Sequence, residues 1–160
     1  MRVSMVGTTI AWVTPSRSTV SIQTSGSNRG SQHVLVVHAD NGLDEFSPAG
    51  PTAYTELKHG KITEQRVSPA DFALPETPLA ELRAADPEES LMLIRKALTG
   101  TGPGAPMVAI NAGAALYVAG QADSLSDGVE KARAILSSGR ALARLESFAK
   151  RTQALAGSQP

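Results

Sequence analysis

Three carboxylates lie close together in a segment that follows a short apolar run. Asp40, Asp44 and Glu45 fall within six residues, directly after the run HVLVVHA. In open α/β sheets, functional groups collect just beyond the carboxyl ends of strands. Neighbouring carboxylates suit Mg²⁺, a hard cation held by one or two acids together with substrate phosphates. The acids are therefore candidate metal ligands, although acids in a turn are more often simply solvated and their spacing does not complete an EF-hand loop.

The other residue types that carry chemistry form weaker patterns. His33, His38 and His59 share no metal-ligand spacing. His38 is close to the acids and could help to shape a site there, although an imidazole bonded to backbone at a strand end is the simpler interpretation. The serines have no G-x-S-x-G context, so nucleophilic catalysis has no support.

The glycine-rich stretch at residues 100–106, GTGPGAP, invites comparison with a phosphate-binding loop. Pro103 and Pro106 remove two of the backbone donors that such a loop would need. No P-loop lysine follows, and the stretch lies between two helical patterns. It is predicted to be a connector between helices.

The elements that would position the acids begin with a predicted buried strand at about residues 32–39, which Asp40-Asn41-Gly42 closes with a turn. After the loop SPAGPT, the alternating segments AYTEL and KITEQRV predict a β-hairpin over residues 53–67 with one wet face. His59-Gly60 is its predicted turn.

Four helices are predicted after the hairpin. Asp86-Pro87-Glu88-Glu89 supplies an N-cap and first turn for a helix that runs to about Leu98. Met107 to Ala119 is apolar almost all round and predicts a buried helix, in which Gly113 allows close backbone approach. Asp123 is predicted to cap a third helix that Gly139 ends, and a fourth runs from Arg140 to about Leu155.

Composition bounds the protein class and the division of the chain. The 160 residues suit one domain, and 15 basic against 15 acidic residues give no global field toward nucleic acid or membrane. The absence of cysteine excludes disulfides and thiol chemistry and fits a cytoplasmic protein. Residues 1–30 show no sustained period and are expected to be poorly ordered and poorly packed. The tail, residues 157–160, is expected to be disordered.

Four collinear segments resemble the last stretch of anthranilate phosphoribosyltransferases. They are VLVVHADNGLDEFSPAGPT, ELKHGKITEQRVSPADFALP, DPEESLMLIRKALTG and NAGAALYVAGQADSLSDGVEKARAILSSGRALARLE. Together they cover roughly Gly30 to Lys150. The resemblance implies an α/β fold, namely part of a nucleoside-phosphorylase-like phosphoribosyltransferase domain, with residues 31–156 as the C-terminal part of that domain and residues 1–30 unlike the family.

The resemblance also implies a reaction. The family joins anthranilate to the ribose of phosphoribosyl pyrophosphate (PRPP) and releases pyrophosphate, usually as a homodimer. Its adjacent Asp-Glu pair is a Mg²⁺ site, which implies that Asp44 and Glu45 are metal ligands, whereas Asp40 has no comparable support. Metal neutralisation of the leaving group and positioning can supply much of the catalysis, so no covalent nucleophile is required.

Several parts of the family pattern are expected to be missing from these 160 residues: the glycine-rich phosphate loop, the Lys-His-Gly-Asn segment, the anthranilate-contacting arginine and the dimer-forming helical domain. The isolated chain is therefore expected to be inactive. Two functions stay open, a part of the transferase in tryptophan biosynthesis and a non-catalytic remnant or interaction module of the same fold.

Overall fold

The structure, a computed structural model, describes residues 32–157 together with the backbone of residues 4–5 and 8–12. The described strands are β1 Ser4–Met5, β2 Thr8–Trp12, β3 His33–Ala39, β4 Thr52–Lys58 and β5 Lys61–Val67. They form one sheet in chain order, with β2 and β3 parallel and the other neighbours antiparallel. The α/β fold predicted from the sequence is confirmed.

The centre of the molecule is β3, whose apolar run is buried on both faces. Leu35 and Val37 are fully buried against the helical layer, while Val34 and Val36 pack with Leu57 on the other face. A strand covered on both sides favours a continuous apolar run, here Val34 to Val37. The predicted buried strand at 32–39 is therefore found at residues 33–39.

The predicted hairpin is formed by β4 and β5, which are joined by a two-residue turn. His59 and Gly60 both have positive φ, at 50° and 76°, as a type I′ hairpin turn requires. β4 alternates between buried and half-exposed residues, whereas β5 is largely exposed. One face of the hairpin is thus wet, as the sequence predicts.

Four α-helices follow two short 3₁₀ turns at Pro69–Phe72 and Leu79–Leu82. They are α1 Pro87–Ala97, α2 Ala105–Val118, α3 Leu125–Ser137 and α4 Arg140–Ala156. No helix in the described ranges is long and apolar enough to cross a membrane. The four helices agree with the predicted ones to within about two residues at each end, the scatter expected of helix termini.

The helix caps agree with the sequence except at α3. Asp86 accepts a hydrogen bond from the backbone N–H of Glu89 at 2.8 Å and begins α1 as predicted. At α3 the prediction of Asp123 is wrong, because Ser124 is the N-cap and its hydroxyl accepts from the Asp127 N–H at 3.1 Å. Asp127 in turn accepts from the Asp123 N–H at 2.8 Å. Ser124 thus satisfies one orphan donor of the first turn, and Asp127 binds the backbone just before the cap.

The sequence analysis expected no strand before residue 30, and the structure differs there. β2 pairs with β1 on one edge and with β3 on the other, from Thr8 opposite His33 to Trp12 opposite Val37. A five-residue strand rich in Thr gives too short a pattern to show a period. The expected poor order of residues 1–30 otherwise concerns positions mostly outside the described residues and stays a prediction. The same holds for the predicted tail beyond Gly157.

Candidate functional site

The loop that carries the three candidate acids, residues 40–51, connects β3 to β4. Asp44 is exposed and Glu45 is half-buried, and both lie just beyond the carboxyl end of β3, as predicted. Neither side chain has a hydrogen-bond partner within residues 32–157. The two carboxylates are therefore free to serve as ligands.

A tight turn begins the loop. The Ala39 N–H donates to the Leu43 carbonyl at 3.0 Å, and the Gly42 N–H donates to the Ala39 carbonyl, also at 3.0 Å. Gly42 has a φ of 87°, a conformation that costs little only without a Cβ. This turn fixes the chain immediately upstream of Asp44.

Downstream of Glu45, the loop is buried and tied to other elements. Ser47, which is 2% exposed, donates its backbone N–H to the Thr52 hydroxyl at 3.0 Å. Its own hydroxyl accepts from the Asn41 amide at 2.7 Å, so the segment after the two acids is bonded to the turn before them. The Pro48 carbonyl accepts from the Thr77 N–H at 2.7 Å. Between these anchored segments, Asp44 is exposed and Glu45 is partly exposed.

Asn111 of α2 contacts the same loop and was not singled out by sequence reasoning. Its side-chain oxygen accepts from the Phe46 N–H at 3.0 Å, and its side-chain nitrogen donates to the Phe46 carbonyl at 2.9 Å. The nitrogen also donates to the Met107 carbonyl one helical turn earlier. The sequence signal was the single amide in the apolar run MVAINAGAALYV, where it has no helical advantage.

The third acid, Asp40, belongs to a different interaction. It forms a salt bridge with Arg66 of β5, and both side chains are about half exposed. Opposite charges at such a site largely satisfy each other. The structure therefore separates Asp40 from the pair formed by Asp44 and Glu45.

Burial and a like charge alter the acidity of Glu45. Partial burial raises the pKa of its carboxyl above the ordinary value, and the negative charge of Asp44 raises that pKa further. A cation between the two carboxylates would offset both effects, because an opposite charge favours the ionised form. The donor chemistry, two adjacent hard oxygen groups, fits Mg²⁺.

The described residues include no group of three or more His, Asp or Glu residues that could hold a metal ion. Two protein carboxylates would leave most positions around a cation to water or to oxygens of a substrate. Mg²⁺ commonly binds in this way at phosphate-handling sites. The arrangement fits a site in which protein carboxylates and substrate oxygens bind the metal together better than one in which the protein supplies all the ligands.

None of the three histidines forms a hydrogen bond with Asp44 or Glu45 in the part of the chain that the structure describes. His33 and Tyr117 both contact the Glu56 carboxylate at 2.7 Å, at the far end of β3 from the loop. His38 lies on the face of β3 opposite Leu35, and its buried Nδ1 has no partner within residues 32–157. His59 forms the hairpin turn. Sequence reasoning missed the buried Glu56 network, because nothing in TAYTELK distinguishes Glu56 from a solvated acid.

The glycine-rich stretch at residues 100–106 connects α1 to α2, as predicted. Gly100 and Gly102 both have positive φ. The Gly100 N–H donates to the Ala97 carbonyl at 3.0 Å, and the Gly102 carbonyl accepts from the Ala105 N–H at 3.3 Å, so both groups are used in local turns. The stretch has the structure of a helix connector.

Comparison with known proteins gives a family and close relatives. The glycosyl transferase family, a/b domain, matches residues 16–142. An anthranilate phosphoribosyltransferase from Marinomonas sp. is 46% identical over 127 residues, which are 78% of this chain and 37% of the relative. One from Alkalilimnicola ehrlichii is 46% identical over 143 residues, which are 89% of this chain and 40% of the relative. The chain thus spans about two fifths of the length of these curated relatives.

Solved structures show the same similarity. The anthranilate phosphoribosyltransferase of Thermus thermophilus aligns with a TM-score of 0.64 and 39% identity, over 72% of this chain and 34% of that one. The enzyme of Saccharomyces cerevisiae in complex with PRPP and Mg aligns with a TM-score of 0.61 and 26% identity, over 74% of this chain and 34% of that one. The family match begins at residue 16, upstream of the boundary at residue 31 that the sequence analysis placed, and that boundary stays a prediction.

Proposed function

Because this chain belongs to the glycosyl transferase family, a/b domain, we propose that it forms part of an anthranilate phosphoribosyltransferase. The proposed reaction is transfer of the phosphoribosyl group from PRPP to anthranilate in tryptophan biosynthesis. The observation that carries the proposal is the adjacent pair Asp44 and Glu45, unpaired at the end of β3, in a chain similar to an enzyme solved in complex with PRPP and Mg.

Asp44 and Glu45 would hold the magnesium ion that this reaction uses. When bound, Mg²⁺ neutralises negative charge that develops on the departing pyrophosphate. The contribution of this chain is to present two ionised carboxylates at a fixed place. Glu45 would bind the cation in its ionised form, although partial burial and then the charge of Asp44 raise the pKa of its carboxyl.

The remaining work of the loop is positioning. The turn at Gly42 and the bonds made by Phe46 and Ser47 hold the backbone on both sides of the acids. Positioning and electrostatic stabilisation together can account for a large part of such a reaction. We assign no catalytic nucleophile or general base to this chain.

A second function is supported by a different observation. Large apolar side chains are exposed on two helices, among them Leu91, Met92 and Ile94 of α1 and Phe148 and Leu155 of α4. Exposed apolar clusters mark interaction surfaces. The chain would then be a non-catalytic module that keeps the fold and binds another protein.

Growth of a tryptophan auxotroph that lacks the transferase distinguishes these two functions. The chain is expressed alone, and then together with a separate polypeptide that carries the part of a relative outside the matched region. Rescue by the pair, lost in Asp44→Asn/Glu45→Gln, would support the transferase. Rescue by neither culture, with both polypeptides present in the cells, would favour the non-catalytic module.

A further inference from the structure

We propose that Asn111 is a positioning residue for the candidate metal site, because it fixes the backbone of the Asp44–Glu45 segment through Phe46. The inference rests on the proposed function for the role of the two acids. The attachment of the loop to α2 stands on its own contacts.

Asp44 and Glu45 are held at their two flanks. On the upstream side, the Leu43 carbonyl accepts from the Ala39 N–H. On the downstream side, the backbone N–H and carbonyl of Phe46 both bind the side chain of Asn111. Because the acids themselves have no described partner, these flanking contacts determine where their carboxylates lie.

The side chain of Phe46 does not replace this attachment. Phe46 is 2% exposed and contacts Tyr54 with ring centroids 5.7 Å apart. This contact fixes the ring, but it leaves a buried backbone N–H and carbonyl that need partners. Asn111 supplies a donor and an acceptor at once, in the manner of a neighbouring strand. The direction of the backbone at Glu45 follows from this two-point contact.

The position of Asn111 in its own helix points the same way. It interrupts a helix that is otherwise apolar or made of small residues. Asn is a poor helix former, because its side chain competes for backbone hydrogen bonds. A residue that breaks the local pattern at some cost is expected where it has a functional task.

The test uses the 160-residue chain and Mn²⁺, a paramagnetic oxygen-seeking ion, as the probe. Amide signals of Asp44, Glu45 and Phe46 are followed by NMR during Mn²⁺ titration, and the hydrogen-exchange protection of the Phe46 amide is measured separately. In Asn111→Ala we expect the Mn²⁺ concentration for half-broadening to rise about tenfold. Protection of the Phe46 amide should fall about tenfold.

Ile110→Val is the matched control, because it weakens the same helix at a core position but removes no hydrogen bond to the loop. It should leave both readouts near wild type. Asn111→Asp provides a readout that a merely structural role would not give. At neutral pH the introduced carboxylate cannot donate to the Phe46 carbonyl, whereas the protonated carboxyl at low pH can. Because the carboxylate still accepts from the Phe46 N–H, protection of this amide should stay nearer to wild type than in Asn111→Ala, whereas the carbonyl carbon signal of Phe46 should shift at neutral pH and return toward its wild-type position in acid.

The outcomes separate the two proposals. Unchanged broadening and protection in Asn111→Ala would overturn the role of Asn111, as would an equal loss in Ile110→Val. Absence of Mn²⁺ broadening in the wild-type chain would count against the metal site, while the Phe46 protection measured in the variants still decides whether Asn111 positions the loop.

Discussion

At the scale of single residues, Glu45 combines partial burial with a neighbouring charge. Both raise the pKa of its carboxyl, burial more than Asp44. A raised pKa in the folded chain means that ionised Glu45 opposes folding. The folded chain therefore holds the Glu45 proton more tightly than the unfolded chain does. The stabilisation that results is fully present below the pKa of the unfolded state and is lost as the pH rises through the folded pKa. Ionisation of Glu45 therefore lowers the stability of the folded chain.

Asp44→Asn should lower the pKa of Glu45 toward its ordinary value, because the neighbouring charge disappears while burial remains. An NMR titration of the Glu45 side chain measures the change. Asp40→Asn is the matched control, since Asp40 is paired with Arg66, and it should leave the titration of Glu45 unaltered. Identical titration curves for wild type and Asp44→Asn would mean that the two acids do not interact.

The buried network around Glu56 is the second feature at this scale. Glu56, which is 6% exposed, contacts the His33 ring nitrogen and accepts from the Tyr117 hydroxyl. Lys58 donates to the same hydroxyl at 3.1 Å and lies 4.4 Å from the centre of the Tyr117 ring. The pKa of Tyr117 is raised to about 12. Burial of the side chain is the larger cause, and the hydrogen bond to the Glu56 carboxylate, together with its charge, comes next. A buried carboxylate is tolerated when several donors satisfy it.

Tyr117→Phe should lower the free energy of unfolding by about 1–3 kcal/mol at neutral pH, because a buried carboxylate loses a donor. Urea denaturation measures the loss. In the wild-type chain, the stability due to Tyr117 is present below pH 10 and lost as the pH rises toward about 12, so this alkaline loss should be smaller in the variant.

Tyr54→Phe is the comparison variant, since its hydroxyl donates to the neutral amide of Gln65 at 2.8 Å. Its cost should be smaller than that of Tyr117→Phe. Equal costs would show that the carboxylate does not depend on Tyr117.

At the scale of elements, α2 and α3 cross at two glycines. A Cβ built on Gly128 would lie 2.2 Å from the Gly113 carbonyl oxygen, and one on Gly113 would lie 2.5 Å from the Val129 nitrogen. Both distances are shorter than atoms allow, and the obstacles are backbone atoms that cannot rotate away. The sequence analysis expected Gly113 to permit close approach, and the structure confirms it.

Gly128→Ala should destabilise the chain by about 3 kcal/mol or more, because the added methyl group forces the two helices apart. Thermal or urea unfolding measures the effect. Gly157→Ala is the matched control, since its added Cβ would meet ordinary contacts at 3.6 Å. A Gly128→Ala chain as stable as the Gly157→Ala chain would contradict the close crossing.

Sequence patterns predicted the elements that depend on local chemistry. The β-branched run of β3, the positive-φ pair His59-Gly60 and the Asp86 cap all follow from short-range rules. β2 was missed because its partners are distant in sequence and its pattern is short. At α3, two adjacent cap residues, Asp123 and Ser124, could not be ranked without the backbone.

The candidate site was predictable only in part. Asp44 and Glu45 could be placed in a loop after a strand, and their role comes from a family resemblance. Asn111 lies 65 positions from Phe46 in the chain, and no local rule connects the two. Local chemistry could not separate Asp40 from its neighbours, because its partner Arg66 comes from another strand; only the family resemblance set Asp40 apart.

At the scale of the whole molecule, apolar side chains remain uncovered on α1 and α4 and on the hairpin. Phe148 is 65% exposed, and Leu155 and Ile62 are each 59% exposed. The chain spans about two fifths of its curated relatives. We expect such surfaces to associate, because burial of apolar area is favourable wherever a partner is available.

The chain should therefore self-associate in a concentration-dependent way, and Phe148→Ser should shift it toward monomer. Sedimentation velocity over a wide concentration range measures the change. Arg151→Ser, an exposed substitution on the same helix, should leave association unchanged. A wild-type chain that sediments as a compact monomer throughout would contradict the expectation.

The central proposal is that this chain supplies the Asp44–Glu45 metal loop of a phosphoribosyl transfer site that it does not complete alone. The most direct measurement is a transfer assay with PRPP and anthranilate on a chimera, in which residues 32–157 replace the matching region of a full-length relative. We expect no product from the isolated chain, product from the chimera, and a loss of about a hundredfold or more in Asp44→Asn/Glu45→Gln. Full activity of the doubly substituted chimera, or transfer by the isolated chain, would contradict the proposal.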